Sequence, residues 1–114
     1  MAYDLYLADR IKRILQDKHI VFEEKKMMGG LCFMVDDKMC LGVEKENLMA
    51  RVGEENRELA FQRNGCREMN FTGRPMKNFV FVDPEAIDLE EDLEFWVKLC
   101  LQHNPFAKSS KRKK

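Results

Sequence analysis

Side chains that carry chemistry are scarce in this sequence. Of its 114 residues two are histidines, His19 and His103, and the two serines, Ser109 and Ser110, both fall in the last six positions. A serine nucleophile within the body of a fold is therefore excluded. The four cysteines, Cys32, Cys40, Cys66 and Cys100, include no C-x-x-C pair, and both histidines lie far from them in the chain. The convergent Cys/His spacing of a zinc site is missing, so no metal site is expected. No apolar run approaches the ~20 residues that cross a bilayer, so no membrane role is expected. The opening Met-Ala-Tyr-Asp-Leu-Tyr lacks the basic flank and apolar block of a secretory signal, and the cytoplasm is the expected address. Thiols stay reduced there, and all four are read as free, buried thiols.

An excess of charge of one sign is also lacking: 20 Lys and Arg balance 20 Asp and Glu. The balance is uneven along the chain. Lys108, Lys111, Arg112, Lys113 and Lys114 hold five positive charges, which leaves residues 1–107 at −5. That excludes a uniformly basic nucleic-acid-binding domain. Residues 108–114 read as a basic, disordered tail; the sharper reading is an arm that touches nucleic acid or an acidic partner. Residues 1–107 suffice for one domain, and an apolar share of 45% suits a compact soluble one.

What is present is clear periodicity. Leu7, Ile11, Ile14 and Leu15 mark one face of a helix over residues 4–17, with charged residues opposite. Two apolar segments follow, Leu31–Val35 and Lys38–Val43, around Asp36-Asp37, a residue pair that tolerates the positive φ of a tight hairpin. That turn predicts pairing of residue 33 with 40 and of 32 with 41. Alternation then puts Cys32, Met34, Met39, Leu41 and Val43 on one face, continued by Leu48, Ala50 and Val52 from a strand at 48–52. The other face carries Leu31, Phe33, Val35, Cys40, Met49 and Arg51. Cys32 and Cys40 point opposite ways, which excludes a disulfide between them. A helix over 54–63 ends at Asn64-Gly65. Strands at 67–71 and 78–82 flank a loop, Thr-Gly-Arg-Pro-Met-Lys. The last helix is capped by Asp88 and carries a core stripe of Leu89, Leu93, Trp96, Val97 and Cys100. The order α-β-β-β-α-β-β-α predicts an α+β antiparallel sheet with helices gathered mainly on one face.

The chemistry candidates are few. His19 and His103 stand at helix ends and read as solvent-facing, without a catalytic partner. Cys66, between Gly65 and Arg67, has a neighbour that could lower a thiol pKa, but adjacent residues of a strand point to opposite faces. Gly29-Gly30 after Lys25 and Lys26 lacks P-loop spacing and reads as the bend into a strand. The functional alternative is a small-anion or nucleotide cradle built from Lys25, Lys26, Arg51, Arg74 and Lys77.

Several segments carry a resemblance. Lys25-Lys26-Met27-Met28-Gly29-Gly30, Cys32-Phe33-Met34, Met39-Cys40-Leu41-Gly42-Val43, Leu48-Met49-Ala50-Arg51-Val52-Gly53 and Met69-Asn70-Phe71-Thr72-Gly73-Arg74-Pro75-Met76-Lys77 are similar, in order and spacing, to the TfoX N-terminal-domain family. The opening Met-Ala-Tyr-Asp-Leu-Tyr-Leu-Ala-Asp-Arg-Ile and Phe95-Trp96-Val97 fit as well. Met28 departs from the phenylalanine of many relatives, a conservative change. The resemblance covers roughly residues 3–104 and implies a fold like that of type III secretion chaperones. The family is named for a bacterial competence regulator that has a further helical domain, so a stand-alone member is expected. The resemblance implies a loose link to transcriptional control and does not fix function.

Together these readings predict a non-enzymatic, cytoplasmic regulatory or protein-interaction domain without cofactor. Its expected contact surface is the apolar sheet face at Phe33, Met49 and Arg51, rimmed by Arg74 and Lys77. The partner is another protein, in the most economical version a second copy joined through that face.

Overall fold

The structure, a computed structural model, describes residues 3–27, 29–71 and 74–106, apart from the side chains of residues 27, 69–71 and 74–77. The expected tail, 108–114, lies outside the described residues.

Asp4 starts the chain's first helix, α1 (Leu5–Asp17), its carboxylate accepting from the backbone N–H groups of Tyr6 and Leu7. The apolar pattern predicts five strands of the sheet; a sixth precedes them. The strands are β1 (Glu23–Met27), β2 (Gly30–Val35), β3 (Lys38–Glu44), β4 (Asn47–Arg51), β5 (Cys66–Phe71) and β6 (Arg74–Val82). A 3-10 turn, Glu54–Asn56, leads into the short helix α2 (Arg57–Phe61). A second, Pro84–Ile87, precedes the long helix α3 (Glu90–His103). All strand pairs are antiparallel, in the order β1-β2-β3-β4-β6-β5. The protein is therefore α+β, with its helices on one face of a single sheet.

The unanticipated β1 reads Glu-Glu-Lys-Lys-Met and has no apolar alternation. It is a strand because β2 offers it a ladder, and its charges suit an edge that must not pair further. At the other end of the sheet, β6 begins at Arg74, so Arg74 and Lys77 belong to a strand and not to the expected loop. Pro75 is tolerated there because β4 pairs with Phe79–Val82, so that among the described residues the stretch of β6 around Pro75 has no paired strand on that side.

The hairpin at Asp36-Asp37 forms, with φ of 55° and 63°. Its register is corrected by a bulge. Val35 pairs with Lys38 and Met34 with Met39, but Phe33 pairs with Leu41 and Cys32 with Gly42. One extra residue on β3 turns Leu41 and Val43 to the face that holds Leu31, Phe33, Val35 and Cys40. This is the face under the helices, where Leu48, Ala50, Val52, Val80 and Val82 join Leu7, Ile11, Leu15, Leu93, Trp96 and Val97. The other face gathers Cys32, Met34, Met39, Met49 and Phe79, packed with Phe81, and no helix residue joins it among the described residues.

Two details of α3 also differ from expectation. Leu89, not Asp88, occupies the N-cap, and no side chain caps the helix. The preceding 3-10 turn leaves Asp88 in helical geometry, and its carbonyl instead accepts from Arg10. Leu89 is exposed, so the core stripe starts at Leu93, and Leu99 joins the buried residues.

Candidate functional site

Among the described residues, the sheet face expected to carry contacts exposes little apolar surface. Phe33 is wholly buried on the opposite, helix-covered face, edge-on to Phe22 at 5.7 Å. Met49 does lie on the helix-free face, but it is also fully buried, as is Cys32, and Met34, Met39 and Phe79 are 8% exposed at most. This face presents no exposed large apolar side chain among the described residues, so the apolar patch proposed for a homodimer is absent from them. Arg51 is half-buried. Its Nη1 donates to the Met39 carbonyl at 3.2 Å, beside the bulge, and its guanidinium carbon stands 5.4 Å from the Phe79 ring centroid. Its Nε is buried without a partner, and burial lowers its pKa. Arg51 is thus pinned to the sheet.

Of the expected anion cradle, the described residues place Lys25 and Lys26 apart from Arg51. Lys25 and Lys26 are adjacent on edge strand β1 and therefore point to opposite faces. Three strand spacings, roughly 14 Å, separate β1 from the strand that carries Arg51. The side chains of Arg74 and Lys77 lie outside those described.

Burial raises the pKa of all four thiols. Burial pushes Cys32 up to about 11 and Cys40 up to about 12, the latter opposed weakly by Arg51. Burial also raises Cys66 to about 11, outweighing Arg57 and Arg67, so its sequence neighbour does not activate it. Cys100 is fully buried, and its pKa is raised by that burial.

His19 is exposed, as expected, but His103 is not: it is 7% exposed. Its Nδ1 lies 2.7 Å from Glu55 Oε2. A carboxylate only accepts, so Nδ1 carries the proton of this contact, while Nε2 is buried without a partner. Gly53 makes room for the ring, because a Cβ there would run into it. The next residue, Asn104, donates from Nδ2 to the Val35 carbonyl, and Lys38 Nζ donates to the carbonyls of Asn104 and Pro105. These contacts tie the end of α3 to the β2–β3 hairpin and anchor its register on the sheet.

That anchored helix shapes one side of a surface groove. Leu59 of α2 and Phe95 and Leu99 of α3 form an apolar floor, and Glu91, Glu94, Lys98 and Gln102 form the rim, around a volume of about 410 Å³. Leu59 is 44% exposed. Phe95 is held from two sides. The Arg63 guanidinium stacks 3.9 Å from its ring centroid and pairs with Asp92 at 3.2 Å, while Trp96 meets it edge-on at 5.3 Å. An apolar hollow with fixed walls is a place to receive another apolar side chain. Sequence reasoning missed these residues. A signal was available: Phe95 lies beside the core stripe of α3 and stays only partly buried, and Leu59 is an apolar residue on the exposed side of the short helix α2.

A family model for the TfoX N-terminal domain matches residues 16–104. The chain belongs to this family. No curated protein and no solved structure matches it. The matched span takes in the whole sheet, α2, α3 and every residue of the groove, whereas most of α1 precedes it.

Proposed function

We propose that this TfoX N-terminal-type domain is a non-enzymatic regulatory module that acts through protein contact, in the cytoplasm and in connection with transcriptional control. The observation that carries the reading is the α2/α3 groove, where the exposed Leu59 and the partly exposed Phe95 sit over the buried Leu99 between charged walls. A non-enzymatic role is supported by the way the chemistry-bearing side chains are committed. The thiols are raised by burial, and the His103 ring is locked against Glu55 inside the end of α3. The contact site therefore moves from the sheet face to the helices.

The test is affinity purification from the source cells with the wild-type chain and with Leu59→Asp as baits. Leu59 is exposed, so the variant should fold, which circular dichroism checks. A protein retained by the wild type and lost with Leu59→Asp supports the reading. Capture of no protein, beside a thermal shift with a phosphorylated metabolite, would replace it with small-ligand binding.

A further inference from the structure

Resting on that reading, we infer that the groove receives an amphipathic segment of a partner protein, apolar on one face and basic on the other. The floor sets the first requirement. Leu59 and Phe95, the exposed part of the floor above the buried Leu99, are desolvated favourably by apolar side chains. The groove follows α3 from Glu91 to Gln102, eleven residues or roughly 16 Å, the length of three helical turns. Anchors at i, i+3 or i+4, and i+7 of a docked helix match that length.

The rim sets the second requirement. Glu91 and Glu94 are exposed on α3, and Glu58 is exposed beside Leu59 on α2. The opposing cations are Lys98 and Arg63, and Arg63 is already committed to Asp92 and to the Phe95 ring. A docked segment with carboxylates would meet this rim at a cost, whereas lysine or arginine flanking the apolar anchors would pair with it. The chain's own residues 108–114 satisfy only half of this. They bring five positive charges but no apolar side chain to fill the floor.

The experiment pans a phage library of random peptides, each about 16 residues long, against the full chain. The affinities of enriched peptides are then measured at low and high salt. Enriched peptides should share apolar residues at helical spacing and carry net positive charge. Leu59→Asp should weaken them more than tenfold. Glu94→Lys should weaken them about three- to tenfold and flatten the salt dependence. Lys98→Glu should tighten them about threefold, a gain that no unfolded variant can mimic. Acidic or neutral consensus peptides, no enrichment at all, or affinities indifferent to Glu94→Lys and Lys98→Glu would each overturn the inference. A protein captured with the wild-type bait and lost with Leu59→Asp, yet indifferent to both charge reversals, would overturn the basic-partner chemistry alone and leave the contact-module reading standing.

Discussion

At the scale of single residues, Gly53 is constrained in two ways at once. Its φ of +84° is accessible to glycine at no steric cost, and the His103 ring occupies the space that a Cβ would need. Gly53→Ala should therefore lose about 2 kcal/mol or more in urea unfolding, from backbone strain and the displaced ring together. Adding His103→Ala should return part of that loss, which separates the clash from the strain. Glu55, the ring's partner, gives a pH signature. Its pKa is lowered by its own backbone N–H and then by His103. A carboxylate depressed in the folded state contributes stability above its unfolded pKa, near 4.3, and loses it as pH falls through the folded value. The melting-temperature gap between the wild type and Glu55→Gln should accordingly be steady from neutral pH to about 5 and close below about 4. A gap that widened in acid would show that the contact works otherwise.

At the scale of elements, the bulge in β3 governs what each strand presents. It sends Leu41 and Val43 into the main core and leaves Met39 beside Arg51 on the other face. Arg51 then serves the sheet, donating to a backbone carbonyl while its apolar stem and ring contact fill space around Phe79. Arg51→Glu sets a carboxylate against that carbonyl in a half-buried setting and should cost about 2–3 kcal/mol by denaturant unfolding. Arg51→Leu also removes the unpartnered Nε and should stay within about 1 kcal/mol of the wild type. If Arg51→Glu left stability untouched, Arg51 would regain its standing as a surface contact residue.

At the scale of the whole molecule, α1 is fastened to the start of α3 and to the common core. Arg10 of α1 reaches the Asp88 carbonyl and Glu90 at the start of α3, and Leu7, Ala8, Ile11, Ile14 and Leu15 are buried in the common core. Burying an aliphatic side chain contributes roughly 1.5–3 kcal/mol, so these residues together supply on the order of 10 kcal/mol. That equals the whole net stability of a typical domain, about 5–15 kcal/mol. A chain trimmed to the family-matched span, 16–104, should therefore show no cooperative thermal transition, while the full chain should show one. Retention of a sharp transition by the trimmed chain would mean that α1 is an accessory.

Local rules determined much of this protein. The period of α1 and α3, the Asp36-Asp37 turn and the strand-forming apolar runs all act over a few residues, so each was legible in the sequence and placed the chain as α+β. Four features were decided only in three dimensions. β1 is a strand because a neighbour has free hydrogen-bonding groups, and nothing in Glu-Glu-Lys-Lys-Met says so. The bulge has no sequence signature, because Cys40 is apolar and suits either face, yet it reassigned Phe33 and with it the expected contact surface. His103 looked like a helix end in solvent until the fold brought Glu55 and Gly53, about fifty residues away, against it. The groove needs α2 laid beside α3, so its floor is an inter-element property. Sequence patterns specify which side chains must leave water; packing alone specifies which remain open to a partner.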